Sequence, residues 1–151
     1  MRKRIDFNKF IPKEFDYAGN FLAYDNIGSE KYQKTHPKNY CSNYSEWCER
    51  ITMAYHTVNT KEDRKQLVWA LQCHANYLQH EKDIYVSVLF ALVTFFVGFA
   101  IPCFSQNVVA NYIAAFVIAG ILEVWLLILI IPRDNRIDFD NAAIQVLSNL
   151  E

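Results

Sequence analysis

Two long apolar runs constrain this chain more than any other feature. The first, "IYVSVLFALVTFFVGFAIPCF", covers Ile84–Phe104, 21 residues without a charge. The second, "VVANYIAAFVIAGILEVWLLILII", covers Val108–Ile131, 24 residues in which Glu123 is the single charge. A bilayer core of about 30 Å needs about 20 apolar residues in a helix. A buried helix of a soluble protein rarely stays apolar for so long. The runs predict an all-α membrane protein with a two-helix transmembrane hairpin over residues 84–131 (spans 84–104 and 108–131). Neither run is N-terminal, so neither reads as a signal peptide.

The flanking charges predict the topology. The net charge of -1 hides an asymmetry: residues 1–83 hold 13 of the 15 basic residues, and residues 84–132 hold none. The connection "SQNV" has no Lys or Arg, whereas Lys82 precedes the first run and Arg133 and Arg136 follow the second. The positive-inside rule then puts both termini in the cytoplasm, as a multi-pass protein of the inner membrane. Tyr85 and Tyr112 fit interfacial positions, while Trp125 falls inside its span. No block of basic residues marks a nucleic-acid surface, so no direct DNA binding is expected.

The rest of the chain reads as three cytoplasmic parts. Residues 1–40 form an aromatic-rich arm with Phe7, Phe10, Phe15, Tyr17, Phe21 and Tyr24. Pro12, Gly19 and Gly28 break it, and no helical period survives. Residues 41–83 read as two helices. Ser42 or Ser45 caps the first, whose apolar face is Trp47, Ile51, Ala54 and Tyr55. Thr60 with Asp63 opens the second, with the stripe Leu67 or Val68, Leu71, Ala75 and Leu78. Nothing breaks this helix before Gly98, so it is expected to run directly into the first span. Residues 132–151 read as a short amphipathic C-terminal helix after Pro132, capped by Asp138 or Asp140. Its stripe, Phe139, Ala142, Ala143, Val146, Leu147 and Leu150, needs a cover: either the 61–82 helix or a second chain.

Within the membrane, protein-facing positions are small or polar. Ser87, Ala91, Thr94 and Gly98 recur at such spacing in the first span and predict a helix–helix interface. Asn111, Ala115, Ala119 and Glu123 recur at steps of four in the second, marking a pore or intramembrane interface. An ionised group at mid-membrane costs roughly 2.5–3.5 kcal/mol on insertion scales. Protonation, a hydrogen bond to Ser87 or Thr94 of a facing helix, or contact with water in a pore would each reduce that cost. Two helices cannot enclose water, so a pore requires a homo-oligomer, in which a ring of Glu123 would attract cations.

Signals for soluble chemistry are thin. Cys41, Cys48, Cys73 and Cys103 lack zinc-ligand spacing and read as reduced thiols, with Cys73 and His74 a composite alternative. No Gly-rich phosphate loop occurs and no cofactor is implied. The fragment "RITMAYH" matches the spacing between Arg and His in HEPN ribonucleases, whose paired helices assemble a composite RNA-cleaving site. That resemblance would assign Arg50 and His56, beside the simpler reading of a surface Arg and a packing His.

The overall layout of soluble helices, membrane hairpin and amphipathic tail resembles the two-transmembrane effectors of prokaryotic antiphage defence, such as SLATT-type proteins. It also resembles the small membrane accessory proteins of RNA-targeting CRISPR systems. The resemblance covers architecture and no specific motif. It implies an oligomeric pore that permeabilises the membrane on activation. Beside it stand a non-conducting adaptor, an immunity protein or an accessory subunit bound to a defence-system sensor or effector protein, and a membrane-tethered ribonuclease.

Overall fold

A computed structural model describes residues 9–58, 60–100 and 108–150. Phe7, Cys103 and the connection at 105–107 lie outside the described residues, as does the end of the first apolar run. The architecture is all-α, with no strand among the described residues. The helices are α1 (Tyr17–Asp25), α2 (Glu30–Thr35), α3 (Tyr44–Thr57), α4 (Lys61–Phe95) and α5 (Val108–Ser148), with a π-helical turn at Phe96–Ala100. Two compact units result, one of Met1–Tyr77 with Asn135–Glu151 and the other of Leu78–Asp134.

The first unit corrects the reading of the arm, which contains α1 and α2. Asp16 caps α1: its side chain accepts a hydrogen bond from the Gly19 N–H at 3.2 Å. A Cβ on Gly19 would lie 2.2 Å from the Asp16 carboxylate, so this glycine makes room for the cap instead of ending a helix. Asp16 itself sits at φ 43°, a left-handed conformation that Asp tolerates better than most residues. Ser29 caps α2 by accepting from Tyr32 N–H. Between the two helices Gly28 takes φ +73°, and its N–H donates to the Cys41 carbonyl.

Helix α3 is capped by neither predicted serine but by Asn43, which lies between them. Asn43 Oδ1 accepts from the Glu46 N–H, and the Glu46 carboxylate accepts from the Ser42 N–H, so two otherwise unpaired donors are satisfied. At α4 the expected cap is present, with Thr60 Oγ1 accepting from the Asp63 N–H at 3.1 Å. As expected, α4 proceeds without a break into the first apolar run.

The C-terminal stripe closes the core of this unit. Phe139, Ala143 and Leu147 are fully buried, in one cluster with Phe15, Trp47, Ile51, Leu67 and Leu71. The rings of Tyr17, Phe21, Tyr24 and Trp47 all meet Phe139 at centroid distances of 5.2–5.9 Å. These three stripe residues are thus core, which corrects the expectation of an oligomer or partner contact there. Val146 is half-buried and Leu150 is exposed.

No separate C-terminal helix forms, because α5 passes through Pro132 without ending. Proline removes one backbone donor and crowds the preceding turn. The side chain of Arg133 donates to the Leu129 carbonyl in the preceding turn. Asp138 and Asp140 lie inside the helix and cap nothing.

In the second unit the charged ends of the apolar segments pair. Lys82 Nζ lies 2.6 Å from Asp134 Oδ1 and Arg133 Nε 3.5 Å from Glu81 Oε2. The Arg133 guanidinium also stacks over the Tyr85 ring at 4.7 Å. By length and composition α5 can cross a membrane, and none of its most apolar stretch is buried within the chain. Large apolar side chains such as Phe90, Phe116 and Ile128 are exposed.

Candidate functional site

Two places bring polar groups to otherwise apolar surroundings. One is the intramembrane ladder. Asn111, Ala115 and Ala119 are half-buried, and Glu123 is exposed. Helix geometry explains the difference. Each step of four residues turns about 40° past a full rotation, so three steps carry Glu123 about 120° round from Asn111. The half-buried face of α5, through Ala114, Ile118, Leu122, Leu126 and Leu129, is centred close to the direction of Asn111. The ladder therefore leaves this face, and Glu123 stands outside it.

The small and polar positions of the first span are all exposed: Ser87, Ala91, Thr94 and Gly98. The half-buried face of this helical segment is Tyr85, Leu89, Val93 and Phe96, on its other side. Within one chain the predicted helix–helix stripe is consequently not the covered face. Nor do its hydroxyls need a facing helix. Ser87 Oγ donates to the Asp83 carbonyl and Thr94 Oγ1 to the Phe90 carbonyl, each at 2.8 Å.

The second place is a buried cluster that the sequence analysis did not assemble. Asp140 is fully buried. Tyr17 Oη donates to its Oδ1 at 2.9 Å, and His74 Nδ1 lies 2.8 Å from its Oδ2. Tyr17 Oη also approaches His74 Nδ1 at 3.3 Å. Burial pushes the Asp140 carboxyl above the usual carboxylate range, while His74, Tyr17 and, at longer range, Arg136 pull it back. Burial likewise raises the Tyr17 phenol, which stays neutral and able to donate. A carboxylate that orients a histidine through Nδ1 is an arrangement known from acid–base sites. Here it joins α1, α4 and α5 at the edge of the core.

A signal for this cluster exists in the sequence. His74 lies on the α4 stripe between Leu71 and Leu78, and Asp140 on the α5 stripe with Ala143 and Leu147. Two polar residues on two apolar stripes point to mutual satisfaction.

The remaining candidates have structural surroundings. Arg50 Nε donates to Asn20 Oδ1, Nη1 to the Lys38 carbonyl and Nη2 to Asn39 Oδ1. It ties the segments before α3 to that helix. His56 is exposed at the end of α3. Cys41, Cys48 and Cys73 are free thiols. No group of three His, Cys, Asp or Glu side chains able to hold a metal occurs among the described residues. Comparison with protein families, characterised proteins and solved structures returns no match.

Proposed function

We propose that this chain is a two-span membrane protein that assembles as a homo-oligomer and opens a conductive path through the inner membrane, as an effector of antiphage defence. The carrying observation is Glu123: an acid on an apolar helix, exposed in the single chain. Neither apolar run contains a Lys or Arg. A second copy thus supplies no intramembrane counter-charge, and water in a shared pore is the environment that stabilises the ionised form. The positive-inside pattern supports cytoplasmic termini, and the architectural resemblance supports the defence role.

Purified full-length protein reconstituted in liposomes tests this reading. The expected result is an oligomer in detergent, cation flux in vesicles, and reduced cation selectivity in Glu123→Gln. A monomer that inserts but carries no flux would count against it.

A second reading is a non-conducting adaptor or accessory subunit for a larger defence protein. Its support is an exposed aromatic pair, Phe10 against Trp69 with centroids 6.2 Å apart. A stoichiometric partner that co-purifies and is lost in a Trp69→Ala variant would favour it. A ribonuclease using Arg50 and His56 has less support, because each nitrogen of the Arg50 guanidinium is already hydrogen-bonded.

A further inference from the structure

A cleft of about 330 Å³ opens on the first unit, lined by Tyr17, Ala18, Phe21, Leu22 and Arg136. Its walls are aromatic and aliphatic, and its one charge is a guanidinium. Arg136 lies over the Phe21 ring with its Cζ 5.6 Å from the centroid. It has no ion-pair or hydrogen-bond partner among the described residues. Two nearby carboxylates, Asp140 and Asp25, are hydrogen-bonded to other side chains. Asp140, one turn further along α5, is buried against Tyr17 and His74. Asp25 accepts from the Asn135 side chain at 2.9 Å. Asp138 is exposed to solvent. Leu22, at 43 % exposure, is an aliphatic side chain standing open at the cleft.

The chemistry fits a ligand that is anionic at one end and apolar at the other. A guanidinium binds phosphate through paired donors. The volume lies at the small end of ligand pockets, room for a headgroup with its glycerol but not a whole lipid. Position in the chain favours the same class, since Arg136 follows the end of the second apolar run, Ile131, by five residues.

We propose that the Tyr17–Arg136 cleft binds the phosphodiester headgroup of an anionic phospholipid. Arg136 pairs with the phosphate, and Leu22 and the Phe21 edge cover the glycerol and first methylenes. This assignment rests on the reading of the chain as a membrane protein.

The test uses the full chain in a neutral detergent. Its unfolding midpoint is measured against added phosphatidylglycerol, phosphatidylcholine and inorganic phosphate, each shift referred to the same variant without additive. Phosphatidylglycerol should raise the midpoint at lower concentration than phosphatidylcholine, and inorganic phosphate should not raise it. Arg136→Gln should weaken the apparent affinity for phosphatidylglycerol about tenfold or more, as the loss of a charge-assisted hydrogen bond does. Leu22→Gln, a surface change, should weaken it by a smaller factor with the lipid-free midpoint unchanged. An undiminished phosphatidylglycerol response in Arg136→Gln overturns the proposal, and an equal response to inorganic phosphate overturns the lipid assignment. Alkaline extraction from vesicles separates the two readings. A chain that stays embedded but ignores headgroup charge sinks this inference alone, and a chain that washes off sinks the membrane reading with it.

Discussion

Tyr17 and Asp140 stand 123 residues apart in the chain and share a hydrogen bond of 2.9 Å. That bond, with His74 as the third member, fastens α1 to the C-terminal part of α5. Removing one member leaves a polar atom at the edge of the core short of a hydrogen bond, which costs more than the bond itself contributes. Tyr17→Phe should therefore lower stability by about 1–3 kcal/mol. Asp140→Ala should cost more, because both of its bonds, to Tyr17 and to His74, are lost at once, and Asp140→Asn less than Ala. Denaturant unfolding of the three variants in detergent gives the order, and equal losses for Ala and Asn would refute it.

The same carboxyl gives a pH dependence with a definite sign. Burial raises the Asp140 value above the ordinary 3.8, so the folded chain holds this proton more tightly than the unfolded chain does. Its stabilising contribution is full below the unfolded value and is lost as pH rises through the folded one. The stability of wild type relative to Asp140→Asn should accordingly increase as the pH falls from about 7 toward about 4. Unfolding curves of both proteins across that range provide the check; a difference that moves the other way contradicts the assignment.

Phe139 separates a core residue from a contact residue. Four aromatic rings meet it and it is fully buried. Phe139→Ala should cost about 3–5 kcal/mol, as large-to-small changes in aromatic cores do. Leu150→Ala, at an exposed position, should stay within about 0.5 kcal/mol. Thermal unfolding distinguishes them, and near-neutral behaviour of Phe139→Ala would return this residue to the role of a partner contact.

At Asp16 the backbone and the cap can be tested apart. Asp16→Ala loses the bond to Gly19 and places a β-carbon at positive φ, together about 1–3 kcal/mol. Asp16→Gly loses the bond but relieves the backbone, so it should be the milder of the two. The reverse order in unfolding experiments would argue against the left-handed cap.

Arg50 and His56 should behave differently from a catalytic pair. Arg50→Ala breaks three hydrogen bonds from one guanidinium. A loss of about 1.5–3 kcal/mol follows from charge-assisted bonding. His56→Ala, exposed at the end of α3, should be within about 0.5 kcal/mol. RNA cleavage that depends equally on both residues, in variants of unchanged stability, would reinstate the ribonuclease reading.

Much of the local structure follows from sequence alone. The two long apolar runs mark the apolar parts of α4 and α5, because helical segments without breakers or charge clusters are legible in composition alone. The apolar stripes of α3 and α4 name Trp47, Ile51, Tyr55, Leu67 and Leu71 as buried, because helical period alone selects one face. What the sequence could not fix depended on partners distant in the chain. Gly19 reads as a breaker until Asp16 is seen to require its missing side chain. Pro132 reads as a terminus, yet α5 continues through it. Asp140 reads as a helix cap, and Tyr17 as one aromatic among many: the stripes of α4 and α5 mark His74 and Asp140 as polar residues on apolar faces, but nothing in them points to a Tyr 123 residues from Asp140. For Glu123 the sequence determines the acid and its apolar surroundings. The tertiary structure decides which face of that helix is covered: it is the one centred near Asn111, and Glu123, about 120° round from Asn111, is left exposed.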